Sequence, residues 1–419
     1  MSLPLDFVPK KPFADFKWKW ASLQCTEGLN DPVVLLGVLF RMRKLELSGK
    51  NVKYSSETFA DELRSLARDI EGRGIGVDLA RRTGERNLIR NSGQYWRAVG
   101  LIPRNECGGT ITLTPFGRLV ADRKISQTEF AAITIQTFSL PNPAVQSEAE
   151  CNQWRDSGLC LKPLSLLLSI LERLDDTDGE GYLTKKELLE IIVPLSGVKE
   201  VTFDDYVSFV KAYRAGRLDM SKWPDCCTSA NDHRIGREFL LFLANYGYVE
   251  IQLHDGEERF CYNRQLDDEI HQLLNLSSKG GYDELLERLK GTDVVSEIER
   301  KRVASGRKRK FQARFRREVL GKTPRCIITN VTMPEVLEAA HIIPFKYHGE
   351  DTRANGFAMR LDIHQLFDSG HLRIHANGGV FLTDRARMDY GALIPPSIQI
   401  PHWINRDFVR WRWDNYNGV

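Results

Sequence analysis

The sequence predicts an α+β multidomain chain, with a mainly helical N-terminal half and a small unit of two strands and a helix near the C-terminus. Three observations lead there. The chain has 419 residues, beyond the length at which one core ordinarily keeps growing, and 42% of them are hydrophobic. Residues 300–317 (RKRVASGRKRKFQARFRR) hold ten Lys or Arg and no acid, a sharp break in composition. Five of the nine histidines then fall between 341 and 375, a concentration that packing alone does not call for. These breaks bound a recognition-like region at 1–290, a basic linker at 291–322 and a C-terminal domain at 323–419.

The formal net charge is only +3, so nucleic-acid contact would have to come from local clustering rather than from a uniformly basic surface. Eight cysteines lie scattered without a CxxC pair, against both a zinc ribbon and a disulfide framework. The first twenty residues lack a continuous apolar stretch, and no segment approaches the roughly 20 apolar residues that span a bilayer. A reduced, cytoplasmic protein is the expectation.

Along the N-terminal half, one plan occurs twice. Residues 84–99 (GERNLIRNSGQYWRAV) read as a helix, followed by a Gly-Gly turn, the strand-like TITLT at 110–114 and a Pro-led helix at PFGRLV. Residues 232–246 place Ile235, Phe239, Phe242, Leu243 and Tyr246 on one helical face; GYVEIQ, a polar HDGEE turn, the strand RFCYN and the helix LDDEIHQLL follow. Helix, strand, wing, strand is the order of a winged helix, so winged-helix units are expected near 84–120 and 232–275, each able to set a helix in the DNA major groove. A plain packing unit has the same pattern. Arg86, Arg90, Arg97, Arg234 and Arg237 are the candidate DNA contacts there. Arg307, Lys308, Arg309 and Lys310 are those of the basic run, which otherwise reads as a solvated linker.

Between the two units, LKPLSLLLSILERL (161–174) is apolar nearly all round and predicts a buried helix. DTDGEGYLTKKE (176–187) then matches a twelve-residue EF-hand loop, with Asp176, Asp178, Glu180, the Tyr182 carbonyl and Glu187 as candidate Ca2+ ligands and Gly181 at the turn. The competing reading is an acidic turn in which Thr184 and Glu187 form a capping box.

In the C-terminal domain, EVLEAAHI predicts a strand delivering His341, GFAMR a returning strand, and LDIHQLFD a short helix closed at Ser369-Gly370. His364 and Asp368, four apart, share a helical face. Phosphodiester hydrolysis needs a base to deprotonate water and a cation to neutralise the leaving oxygen. His341 suits the first task, and His364 with Asp368 can hold an ion for the second. Asn355 is expected to orient His341 across the hairpin. Arg353 and Arg360 are candidate phosphate contacts, and His348, His371 and His375 bystanders or substrate contacts.

From Cys326 to Thr383 the chain resembles HNH endonucleases (ββα-metal, His-Me finger), in the branch with AAHI, an NG after the loop and a D-I-H-x-L-F-D helix. The lead-in FQARFRREVLGKTPRC is similar too. The resemblance implies His341 as general base, Asn355 as the middle asparagine, and His364 and Asp368 as ligands of Mg2+ or another divalent ion such as Mn2+. Where many such enzymes carry an acidic or histidine ligand just before the base, this sequence has Ala340, which leaves two protein ligands. Residues 86–270 resemble, more loosely, the recognition region of AlwI-type type IIS restriction enzymes, in YWRAVGLI, PFGRLVAD, FSLPNP, the 161–174 helix and GYVEI. Together they imply a site-specific, type II restriction endonuclease cutting double-stranded DNA in the bacterial cytoplasm, possible as a homodimer and accompanied by a methyltransferase. The alternatives are a ligand- or calcium-activated nuclease effector of a defence system, and a winged-helix regulator with an inert HNH remnant.

Overall fold

The computed structural model describes residues 3–14, 16, 18, 31–70, 88–104, 109–226, 237–276, 282–292, 294–304, 308–344, 347, 349–350 and 352–416. The chain divides into two compact units, Met1–Lys301 and Arg302–Val419.

The first unit opens with helices α1 (Pro32–Leu47), α2 (Glu57–Asp69), α3 (Leu88–Ala98), α4 (Pro115–Ala121), α5 (Gln127–Thr137), α6 (Glu148–Asp156) and α7 (Pro163–Asp178). Their starts are written in the sequence. Ser126 with Glu129 and Ser147 with Glu150 close reciprocal capping boxes on α5 and α6, and Pro115 and Pro163 sit where a helix needs no N–H. The expected buried helix is α7: Leu164, Leu167, Leu168, Ile170, Leu171 and Leu174 are at most 1% exposed. It ends at Gly179, whose φ of +70° favours a residue without Cβ.

The first repeated unit departs from expectation. Its helices form as α3 and α4, but residues 110–114 do not become a strand: Thr110 makes an isolated bridge to Lys53, and the Ile111 N–H reaches the Val52 carbonyl at 2.9 Å. Pairing with the short connection between α1 and α2 stops at once, and the Thr114 N–H donates to the Leu101 carbonyl at 3.1 Å. Thr114 turns instead to capping α4 through Gly117.

The second repeated unit keeps its order. After β1 (Tyr182–Thr184), the short helices α8 (Lys185–Glu187) and α9 (Val193–Leu195) and the longer α10 (Phe203–Arg214), helix α11 (Arg237–Asn245) leads into a hairpin of β2 (Val249–His254) and β3 (Glu257–Tyr262). The turn is Asp255-Gly256, both at positive φ, as a tight hairpin requires. Strand β1 adds antiparallel to β3, giving the sheet order β1-β3-β2. Helices α12 (Asp267–Asn275), α13 (Tyr282–Lys290) and α14 (Val294–Ala304) follow.

The second unit begins with α15 (Lys308–Lys322), so much of the expected linker is helix belonging to the C-terminal fold. Strands β4 (Leu337–His341) and β5 (Gly356–Arg360) pair antiparallel, with His341 opposite Gly356 and Ala340 opposite Phe357. Helix α16 (Leu361–Asp368) leaves β5 directly, as predicted, and is capped at Ser369 before Gly370. A second hairpin, β6 (Leu372–Ile374) with β7 (Val380–Leu382), and helices α17 (Asp384–Tyr390) and α18 (Arg406–Asn415) complete the unit.

Strand alternation gives the β4–β5 hairpin two distinct faces. Ala340, Phe357 and Met359 join the core that includes Ile363 and Phe367 of α16. Ala339 and Ala358 meet Phe315 and Val319 of α15. The small residues on that second face let the helix approach closely. A Cβ on Gly356 would lie 2.5 Å from Val319 Cγ2 and 2.7 Å from Phe315 Cζ, so the glycine after Asn355 is required by packing.

Candidate active site

Each polar group of the site is fixed by one of these elements. His341 ends β4 on the α15 side, its ring stacked on Phe315 at 3.9 Å between centroids and 13° between planes. Parallel contact with a flat apolar ring sets the plane of the imidazole and shields one of its faces.

Asn355 is completely buried. Its side-chain amide donates to the carbonyls of Ile343 (3.0 Å) and Glu350 (2.9 Å), and its Oδ1 accepts from the Ile343 N–H at 2.8 Å. Its own carbonyl accepts from the Ile342 N–H at 2.8 Å. The asparagine therefore holds the chain just after His341, rather than bonding His341 itself as the sequence suggested. The register explains the shift: with His341 opposite Gly356, residue 355 lies one step past the pair and faces 342–343.

His364 and Asp368 are brought together on α16, Nε2 to Oδ2 at 3.1 Å. The other imidazole nitrogen, Nδ1, is 2.7 Å from Oε2 of Glu338 on β4. Burial works against a charged His364, but the hydrogen bonds and charges of Asp368 and Glu338 outweigh it and raise its pKa. Burial likewise opposes ionised Asp368, yet His364 and Arg412 hold it below the usual carboxylate range. The Asp368 and Glu338 side chains remain 47% and 41% exposed, so the cluster is open to solvent.

This donor set fits a hard divalent ion. Both ring nitrogens face carboxylates, Nδ1 towards Glu338 and Nε2 towards Asp368, so an ion held by Nε2 and Asp368 would take the place of the Nε2 proton while Glu338 holds the ring from behind. His364 and Asp368 would be the ligands and Glu338 the outer partner. Among the described residues no three His, Cys, Asp or Glu side chains form a ready-made metal cage.

Two residues of this cluster escaped the sequence reading. Glu338, three before His341, had a legible signal, since an odd separation in a strand puts it on the α16 face. Arg412 of α18 had none: it lies 71 positions from His341, yet its guanidinium donates to the His341 carbonyl at 3.0 Å.

Other expected residues are placed elsewhere. Arg360 is held by Asp362 through two bonds of 2.6 Å, while Arg353 is exposed. His371 bonds Thr383 at 2.8 Å across the second hairpin, His375 packs edge-on to Trp413, and His348 lies outside the described residues. Arg86, Arg234 and Arg307 also lie outside them, as do the side chains of Arg90, Lys308, Arg309 and Lys310. Arg97 is half-buried at the end of α3. Arg237 is corrected: both arms of its fork bind Glu258 of β3 at 2.5 Å, so it braces the hairpin against α11 instead of projecting outward.

The EF-hand-like loop is also corrected by its geometry. Asp176 remains in the last turn of α7, which runs through Asp178. Glu187 is 3% exposed and closes the capping box with Thr184 (2.8 and 3.1 Å). Arg214 then binds Glu187 Oε1 at 2.5 Å and the carbonyls of Tyr182 (2.6 Å) and Glu180 (3.2 Å). Two of the groups expected on calcium thus serve a tethered cation from α10, and the capping reading describes this segment.

Among the described residues no helix is long and apolar enough to cross a membrane. No curated protein matches the chain. Residues 326–375, which hold β4, β5, α16 and the residues His341, Asn355, His364 and Asp368, match the model of the HNH endonuclease family, and this segment is an HNH endonuclease domain.

Proposed function

We propose that the chain is a metal-dependent DNA endonuclease of restriction type, in which the HNH domain cuts and the N-terminal half selects the site. The observation that carries the cutting reading is the His364–Asp368 pair at 3.1 Å on α16, backed by Glu338 of β4, the strand whose end carries His341. His364 and Asp368 would hold a divalent ion, whose charge would neutralise the leaving oxygen.

The protein's own groups do the rest. The His341 imidazole takes the proton of the attacking water, its ring plane fixed by Phe315. Asn355 holds the loop after His341 so that the base cannot tilt away. Glu338 holds Nδ1 of His364 and so orients the ring with Nε2 towards Asp368, where the two would share an ion.

HNH contacts to DNA are mostly to the backbone, which confers affinity with little sequence reading. Selection is therefore assigned to the N-terminal half, with the helix and hairpin α11–β2–β3 read as its winged-helix element. One such centre cuts one strand at a time, so double-strand cleavage calls for a homodimer or two successive nicks, and a cognate methyltransferase would protect the host.

The test is incubation of the purified protein with unmethylated plasmid and phage DNA, with and without Mg2+ or Mn2+, alongside His341→Ala. Discrete fragments that need the metal and fall by about 10²- to 10⁴-fold in rate in the variant are expected. Absence of cleavage under every condition refutes the nuclease reading, and unspecific smearing refutes the restriction reading.

A further inference from the structure

Arg412 lies outside the matched segment, in the C-terminal helix α18, and is 5% exposed. One arm of its guanidinium donates to the carbonyls of His341 (3.0 Å) and Ile342 (2.9 Å). The other donates to the Phe367 carbonyl (2.6 Å) and to Asp368 Oδ1 (3.1 Å). The first pair of acceptors closes the strand that delivers the base; the second closes the helix that carries the ligand pair. The guanidinium also lies over the Phe367 ring, 3.6 Å from its centroid, and near Tyr416 at 4.5 Å.

A charge so deeply placed is costly unless its donors are satisfied. A guanidinium offers a rigid planar fork, and here four acceptors on two elements meet it. Its location at the last turn of α16 also suits the negative end of that helix. Lysine would retain the charge beside Asp368 but, as a single ammonium, cannot span both elements with the same geometry.

We propose that Arg412 is a positioning residue that locks the β4 end carrying His341 to the α16 end carrying Asp368, setting the distance between general base and ion site. The proposal rests on the nuclease reading above. It extends the working unit of the HNH domain past its matched residues to the C-terminal helix.

The test compares Arg412→Lys with wild type, His341→Ala and Tyr416→Phe in the full chain. Tyr416→Phe removes the bond from the Tyr416 hydroxyl to the Asp368 carbonyl and leaves the fork in place. Cleavage of plasmid is followed for kcat and KM separately, Mn2+ binding by calorimetry without DNA, and folding by the thermal transition. Because lysine keeps the charge, its effect reports positioning.

Arg412→Lys is expected to melt cooperatively, to lose about 10-fold or more in kcat with KM for DNA within about twofold, and to bind Mn2+ about 10-fold more weakly. Tyr416→Phe is expected within about twofold of wild type in both. A lysine variant equal to wild type in kcat and Mn2+ affinity overturns the proposal, as does a variant that no longer folds, which would make Arg412 a folding residue only. If wild type does not cut DNA, the nuclease reading fails by itself, while the Mn2+ comparison still decides whether Arg412 positions the ion site.

Discussion

Replacing Glu187 by alanine separates the two ways of reading residues 176–187. In a calcium loop the last carboxylate is a ligand, and its loss weakens ion binding while leaving the ion-free protein nearly as stable as before. Here the Glu187 side chain is 4% exposed, caps α8 through Thr184 and meets the Arg214 guanidinium, whose side chain is 14% exposed. Removing one partner of a pair this buried leaves an uncompensated charge and costs about 3–5 kcal/mol. The lost cap adds about 1 kcal/mol more, though the two effects overlap because the same carboxylate serves both. At roughly 2–4 °C per kcal/mol for a unit of this size, the transition of the N-terminal unit falls by about 10 °C. The assay is a thermal melt in EDTA and again in millimolar CaCl2. A large drop in EDTA, with no calcium-dependent rise in the wild type, is expected. A variant that melts like wild type in EDTA, or a wild type raised several degrees by calcium, refutes the reasoning.

The other predictions concern packing and pH. Gly356→Ala forces a Cβ to 2.5 Å from Val319 Cγ2 and is expected to cost about 1–3 kcal/mol in the C-terminal unit, part of it recovered by adding Val319→Ala, as thermal melts of the double-mutant cycle would show. Glu46 has its ionisation opposed by burial, but Arg118, the Leu113 N–H and Arg43 together hold it below the ordinary glutamate value. A depressed acid contributes stability that is complete above its unfolded pKa, about 4.3, and disappears as pH falls through the native one. Glu46→Gln should therefore lower stability by about 1–2 kcal/mol at pH 7, a figure reduced for the partly exposed Arg118, and the gap to wild type should close in urea melts below about pH 4.

Strands β4 and β5 and helix α16 were readable because their signals are local: strand-like EVLEAAHI and GFAMR around a polar, glycine-containing loop, a helix starting directly after Arg360, and Ser-Gly closing it. The strand expected at 110–114 failed for a non-local reason. TITLT has β-favouring residues, but a strand forms only where a partner runs alongside, and residues 52–54 offer one step of pairing. The EF-hand match failed similarly, since the spacing of acids is local and the cation that meets them, Arg214, arrives from a separate helix. In the active site, the spacing of four between His364 and Asp368 predicted their pairing, whereas Glu338 and Arg412 belong to contacts that cross elements.

The absence of an acid or histidine before His341 follows from the alternation of side chains along β4. Residue 340 points to the α16 face and is 0% exposed, packed in the core with Phe357 opposite it in the sheet. A carboxylate there would be desolvated within apolar side chains, a placement that costs several kcal/mol unless an ion is always present. Glu338, two residues earlier on that face, stands at the partly exposed edge, where its charge is hydrated and its Oε2 still reaches Nδ1 of His364. The acid on this face of β4 therefore acts on His364 from behind, and His341, an odd number of residues away, occupies the opposite face against Phe315. One strand thus carries His341 on one face and Glu338 on the other. The guanidinium of Arg412 joins the two through the carbonyls of His341, Ile342 and Phe367 and through Asp368 Oδ1.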